Sequence, residues 1–415
     1  MTEKFETQKL SSLIFTFAGL TLSVTAFLVG SNVGMNLTLS KGILAIIIGN
    51  IILALYAGFI GVIGNKTKES STMISRPVFG THGQIITSMV IVVFLMGFVA
   101  VYSSMLGILI NTLLPFIPAY VGNLIFVACI CASTIRGFSG MSKLSRVGVP
   151  LLGLFVLYGL YQVNLNMGLS AVFTAVPTGT LAFGLIISQV VAVWTSAATF
   201  SSDMTRLALN PKHVFITTFT AFGLTSVLEI IGLVLALGTG ESDLVKILSS
   251  LNMVVPALFI YLLLMWTSGQ SLLYSFALAF ENIAKVIIKD GREYPFSLRV
   301  GVGSIIAFIL SAIMTAYGLT SSFNAFLLTI GIAIPSIGGI LISHYHIVQR
   351  DTSRAFENMV PFRAHAFAAW ICGILVAKYV TFGIPALSGM LSAMIIYALL
   401  SMALGEKEGS RALGT

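Results

Sequence analysis

Three stretches carry hydroxyl and aromatic side chains where the surrounding sequence is almost wholly apolar. They are GLTLSVTAFLVGSNVG at residues 19–34, VAVWTSAATFSSDMTR at 191–206 and MWTSGQSLLYS at 265–275. A tryptophan offers a flat face to a planar ring. Adjacent hydroxyls such as Thr267 and Ser268, combined with backbone carbonyls freed by an interrupted helix, can hold a hard cation. In the second stretch the large apolar side chains vanish between Thr195 and Thr199, which predicts that a membrane helix becomes a substrate platform at Trp194. Single hydroxyls in such helices are ordinarily satisfied by the carbonyl one turn back or serve close packing. Their clustering around Trp194 points to a ligand. A fourth feature is Glu229 in TSVLEIIG, because an acidic residue at membrane depth is costly unless it is used.

The elements that must position these groups follow from composition. Of 415 residues, 57% are hydrophobic and 9% charged, whereas a soluble domain has about 25% charged. Twelve apolar runs are long enough to cross a bilayer as helices: 11–31, 41–64, 85–114, 119–135, 147–163, 181–201, 212–238, 254–284, 300–317, 320–343, 364–381 and 385–404. The first lacks a small-residue cleavage site and is followed at once by a second, so it reads as a retained helix rather than a signal peptide.

Basic residues orient the chain. With the N-terminus cytoplasmic, the inner segments hold every one of the 22 Lys and Arg residues except Lys41, Lys246 and Lys378. The net charge of +8 is therefore a topology signal toward the lipid bilayer, and no nucleic-acid partner is implied. Cys129, Cys131 and Cys372 form no disulfide framework and have no histidines at metal-ligand spacing. Phosphate-binding glycine loops, paired-cysteine zinc sites and nucleophile elbows are absent, which argues against an ATP-driven pump and against an enzyme.

The interrupted runs 1 and 6 occupy matching positions if the first ten helices form two repeats of five, a pattern that marks a transporter's central site. An odd helix count per repeat makes the two inverted. The expected architecture is an all-α polytopic membrane protein with twelve transmembrane helices. A first repeat covers 1–163, a second covers 164–343, and two extra helices with a cytoplasmic tail cover 344–415.

The stretch WTSAATFSSDMTR resembles the sixth-span signature of the nucleobase:cation symporter family of the first type, which includes cytosine and purine permeases and hydantoin and allantoin carriers. The resemblance extends to GLTLSVTAF, to GNIILALYAGFIGVIGNKTKESSTMISRPVFG, to MWTSGQSLLYSFALAFENI and to AIPSIGGILISHY, covering nearly the whole chain. It implies the five-plus-five inverted-repeat fold of the leucine-transporter kind, with alternating access to a midplane site. It also implies a planar base held between Phe98 of span 3 and Trp194 of span 6, with Ser196 facing the solute. Where cytosine permeases carry an amide on span 3, this chain has Leu95; in place of their Asn- and Asp-rich run on span 8 it has Gly269, Gln270 and Ser271. Fewer fixed partners for the base edge leave cytosine itself open, beside a methylated or vitamin-precursor pyrimidine or a purine.

For the cation, the resemblance implies the carbonyls of Gly19, Leu22 and Leu264 with the hydroxyls of Thr267 and Ser268. Five neutral oxygens suit a monovalent ion, with sodium the first choice and no other cofactor. The rival coupling ion is the proton, with Glu229 as its site. Asp203 and Arg206 are expected to hold the inner end of span 6 to inner loops, and His82, His213, His344, His346 and His365 to serve surface or capping roles. The expected function is import of a small heterocyclic solute across the plasma membrane by cation symport. The alternatives are a proton-coupled permease of the same fold for a vitamin-precursor pyrimidine and, from a different class, an ion channel.

Overall fold

The computed structural model describes residues 7–166, 168–241, 254–288, 293–318, 320–349, 356, 359–380 and 383–404. Of the basic residues used for orientation, Lys4, Lys246, Lys289, Arg292, Arg350, Arg354, Lys407 and Arg411 lie outside them. Among the described residues all regular structure is helical.

Span 1 is two helices, Leu10–Thr21 and Val24–Asn36, bent by 58°. Ser23 between them is extended, and its hydroxyl accepts the N–H of Thr25, capping the second helix at 3.1 Å. Spans 2 and 3 are Leu39–Thr67 and Gly83–Leu113, with two short helices, Ser71–Ile74 and Arg76–Phe79, between them. Span 4, Ala119–Thr134, turns through 114° into span 5, Gly137–Asn166. Span 6 is Phe183–Thr199 followed by the short Ser201–Thr205 helix. Spans 7 to 12 are Pro211–Thr239, Val254–Ile287, Phe296–Tyr317, Thr320–Ser343, Ala364–Tyr379 and Pro385–Ala403.

Two expectations are corrected. Span 5 begins at Gly137, ten residues before the apolar run, because the polar residues at its start have partners: Arg146 donates to Ser12 of span 1. The helix of span 6 does not break at Trp194. The hydroxyls of Thr195 and Thr199 bond back to the carbonyls of Val191 and Thr195, at 2.7 and 2.9 Å, so the helix continues to Thr199 and the break falls at Phe200.

Packing sorts the helices into groups. Spans 1, 2, 6 and 7 pack on one another, spans 3, 4, 8 and 9 form a second group, and span 5 bridges spans 1 and 8. Spans 1 and 6, 2 and 7, 3 and 8, and 4 and 9 thus share a group, whereas spans 5 and 10 do not. Spans 10 to 12 form a third cluster resting on span 6. Glycines set the closeness of the first group: a Cβ on Gly30 would strike the backbone carbonyl of Glu229, and one on Gly232 that of Phe27. Large apolar side chains point outward at one-turn spacing, as in Leu44, Ile47, Ile51 and Leu55 of span 2 and Ile305, Ile309 and Ile313 of span 9. This is the face a bilayer demands, since helices alone satisfy their backbone there.

Charges that follow spans 2, 6 and 8 converge on one end of the bundle. Lys68 donates to the carbonyls of Arg206 and Ala208. Glu281 pairs with both Lys285 and Arg299, and Arg76 reaches Asn282 at 3.4 Å.

Candidate substrate and cation site

The break in span 1 has a definite chemical consequence. The last intact helical bond runs from the N–H of Leu22 to the carbonyl of Ala18, so the carbonyls that the next turn would have used lose their partners. Ser268 of span 8 takes them over, donating to Gly19 O at 3.3 Å and Leu20 O at 2.9 Å. One residue earlier, Thr267 donates to the carbonyls of Leu263 and Leu264. A Cβ on Gly19 would lie 3.5 Å from Thr267 Cβ and would collide with Ser145 Oγ. The buried Ser145 hydroxyl has no partner. The expected cation-site residues Gly19, Leu264, Thr267 and Ser268 therefore meet where spans 1, 5 and 8 touch, and Leu22 sits at the break itself. The donor set is wholly neutral oxygen, which fits a hard monovalent ion.

Trp194 and Phe98 are both buried and do not stack on each other. Phe98 belongs to a chain of rings: Tyr102 to Phe98 at 5.9 Å, Phe98 to Phe94 at 4.7 Å and Phe94 to Phe200 at 5.5 Å. The Tyr102 hydroxyl lies 3.2 Å from Thr25 Oγ1, so this chain connects the break in span 1 to the break in span 6 by way of span 3. Ser196 is buried two residues beyond Trp194. Among the described residues no hydrogen bond engages its hydroxyl, unlike Thr195 and Thr199 on either side. Leu95 is fully buried on the same turn as Phe98. Gln270 donates to the carbonyl of Met141 on span 5, so its N–H group is used between helices rather than offered to a base.

The hydroxyls beyond Trp194 hold span 6 against span 2. Tyr56 OH lies 2.6 Å from Thr199 Oγ1, Ser201 donates to Ala57 O at 2.7 Å, and Ser202 meets Ser71 at 2.7 Å. Asp203 accepts the N–H of Ser71 at 2.6 Å. Asp203 thus meets the segment after span 2, and Arg206 accepts there from Lys68 through its carbonyl while its guanidinium reaches Tyr274 OH of span 8 at 3.4 Å. His344 is a correction: it is buried and lies 2.8 Å from Tyr397 OH, tying span 10 to span 12.

Glu229 is fully buried between spans. Asn50 of span 2 donates to its Oε2 at 2.6 Å, and the Trp194 indole faces the same carboxyl. Asn50, Ser145, Tyr102 and Thr25 were not singled out in the sequence. Asn50 was the findable one, since an amide within an apolar run carries the same signal as Glu229.

These features define a transporter with a broken-helix core. The chain belongs to the family of permeases for cytosine/purines, uracil, thiamine and allantoin, whose profile matches residues 1–401. It is 27% identical over 407 residues to cytosine permeases of Escherichia coli O157:H7 and of strain K12, covering 95% of this chain and 92% of each relative. Its fold is similar to that of Mhp1, a nucleobase-cation-symport-1 family transporter solved in a closed conformation with bromovinylhydantoin bound. The TM-score is 0.83 at 17% identity, covering 98% of this chain and 95% of that one. A Na+-coupled sialic acid symporter shares the fold with a TM-score of 0.73 at 15% identity, covering 95% and 90%. The protein is accordingly a multi-pass membrane permease of the twelve-helix, five-plus-five class, and not an enzyme.

Proposed function

We propose that the protein imports a nucleobase or related small heterocycle across the plasma membrane by sodium symport, with both termini cytoplasmic and alternating access to the site between spans 1, 3, 6 and 8. The boundaries of the two repeats are 1–163 and 164–343, with 344–415 as an addition. One observation carries the reading: the carbonyls freed by the break in span 1 accept from the Ser268 hydroxyl of span 8, and the rings of Tyr102, Phe98 and Phe94 link that break to Phe200, at the end of the helix that carries Trp194, on which a flat base can stack. Stacking contributes about 1–3 kcal/mol per base, and Ser196 supplies a hydroxyl for the base edge.

Sodium would be held by the carbonyls of Gly19, Leu22 and Leu264 and the hydroxyls of Thr267 and Ser268. Its charge would replace the hydrogen bonds that Ser268 now donates to span 1, drawing spans 1 and 8 together while solute is bound. Cation and solute binding are then linked, and by reciprocity each raises the affinity for the other. Proton coupling at Glu229 is the rival, favoured by the burial of that carboxyl beside Trp194.

Counterflow of radiolabelled cytosine, uracil, hypoxanthine, allantoin and hydantoin in proteoliposomes, with and without a sodium gradient, tests the proposal. Saturable exchange of one of these, accumulated only under an inward sodium gradient, is expected. Accumulation driven by a pH gradient alone would replace sodium by the proton, and ion currents without solute would indicate a channel.

A further inference from the structure

Glu229 sits where four helices meet. Its backbone carbonyl packs against Gly30 of span 1, its Oε2 accepts from Asn50 of span 2, and its carboxyl faces the Trp194 indole of span 6. Three polar atoms here are buried and unpartnered: Glu229 Oε1, Trp194 Nε1 and Asn50 Oδ1. One donor and one acceptor in that set are complementary. The indole N–H can only donate, and it approaches the carboxyl without reaching hydrogen-bond geometry.

The orientation of the Asn50 amide is fixed independently, because its Nδ2 also donates to Ile46 O at 3.0 Å. The amide therefore presents N–H to Oε2, which leaves Oε1 as the oxygen for a second donor. A buried indole N–H ordinarily finds an acceptor, and leaving it unpaired costs about 1–3 kcal/mol. Of the hydroxyls that follow Trp194, Thr195 is spent on Val191 and Ala192 and Thr199 on Thr195 and Tyr56, while Ser196 offers a hydroxyl and no carboxylate.

We propose that Glu229, held by Asn50, is a positioning residue for solute binding: its Oε1 accepts the Trp194 indole N–H and fixes the plane of the ring on which the heterocycle stacks. This rests on the reading of Trp194 as the stacking surface. Asn50 on one oxygen and Trp194 on the other would clamp the carboxyl between spans 2 and 6, and a stacking ring held in one plane loses less freedom when solute arrives.

The test has two parts. The first needs no solute. In purified protein carrying Trp266→Phe and Trp370→Phe, Trp194 is the sole tryptophan, and ultraviolet resonance Raman spectroscopy reads the hydrogen bonding of its indole N–H. Glu229→Leu is expected to shift the band to that of an unbonded indole. Glu229→Gln, which keeps a weaker acceptor and covers the case in which the leucine variant does not fold, is expected to shift it partway. An unchanged band in whichever variants fold overturns the proposal.

The second part is a double-mutant cycle on KM in the counterflow assay with the five compounds named above. Glu229→Leu is expected to raise KM about tenfold or more, as loss of a hydrogen bond to a charged group would, and to add nothing in a Trp194→Phe background. Additive effects would assign Glu229 a purely structural role and overturn the inference while leaving Trp194 as the stacking surface. A Trp194→Ala protein with unaltered KM would instead sink the underlying reading of the site.

Discussion

The hydroxyl of Ser268 reaches from span 8 to the carbonyls of Gly19 and Leu20, at 3.3 and 2.9 Å, across the bend in span 1. A hydroxyl that satisfies two carbonyls of a broken helix is well placed to exchange that task with a cation, because the ion accepts oxygen lone pairs from both sides. Thr267→Ala combined with Ser268→Ala is expected to raise the sodium concentration for half-maximal uptake about tenfold or more. By linkage, solute affinity should fall only when sodium is present. Equal losses with and without sodium would show that the two hydroxyls serve folding alone.

Trp194→Ala is expected to weaken solute binding by the stacking energy, about 1–3 kcal/mol, which is about 5- to 150-fold in affinity. Phe98→Ala should have a smaller effect on affinity, because that ring is also held by Phe94 and Tyr102. Direct binding of radiolabelled solute to detergent-purified protein checks both. Wild-type affinity in the tryptophan variant would relocate the site.

Two glycine substitutions separate close packing from helix propensity. A Cβ on Gly30 meets the backbone of Glu229, which cannot turn aside, whereas one on Gly223 meets nothing within 4 Å. Gly30→Ala should therefore destabilise by about 1–3 kcal/mol through overpacking. Gly223→Ala should be neutral or stabilising by about 0.5–1 kcal/mol, since alanine is the better helix former. Thermal unfolding in detergent distinguishes them, and equal shifts would mean that spans 1 and 7 can separate without cost.

Glu69, in the loop after span 2, gives a pH signature. Burial pushes its carboxyl above the ordinary value of 4.5, more than Arg206, Arg76 and Lys285 nearby pull it down. A carboxyl with a raised folded value favours the neutral form, so its contribution to stability is fully present at pH below 4.5 and is lost as pH rises through the raised value. Glu69→Gln removes that loss. The variant should gain stability relative to wild type at pH 7 and not at pH 4, as read by melting temperature in detergent. A constant difference across this range would contradict the assignment.

The helix count was legible in the length of the apolar runs, and the bend in span 1 in the polar and glycine residues of GLTLSVTAFLVGSNVG that interrupt its run, since both are local properties. The position of the break in span 6 was not, because loss of bulky side chains looks the same whether the hydroxyls free the backbone or bond back to it. Thr195 and Thr199 bond back. The first turns of span 5 were hidden by polar residues whose partners, such as Ser12 for Arg146, lie more than a hundred positions away. The same distance conceals the Asn50–Glu229 pair, which joins two helices 179 positions apart. Each polar residue was visible alone, but its use depended on the partner.

The coupling ion is decided at Glu229. If sodium drives transport through the oxygens of spans 1 and 8, Glu229→Gln should still accumulate solute uphill when measured at saturating solute, whatever its KM. Gln keeps the size and an acceptor oxygen while removing the titratable proton of the carboxyl that meets Asn50 and Trp194. Accumulation should then remain strictly dependent on the sodium gradient. If the proton drives transport, the same substitution should abolish accumulation yet spare exchange, because exchange moves solute both ways without net release of the ion. Proteoliposomes given either a sodium or a pH gradient measure the two quantities side by side. Exchange without accumulation, combined with indifference to sodium, would transfer the coupling site from the break in span 1 to span 7.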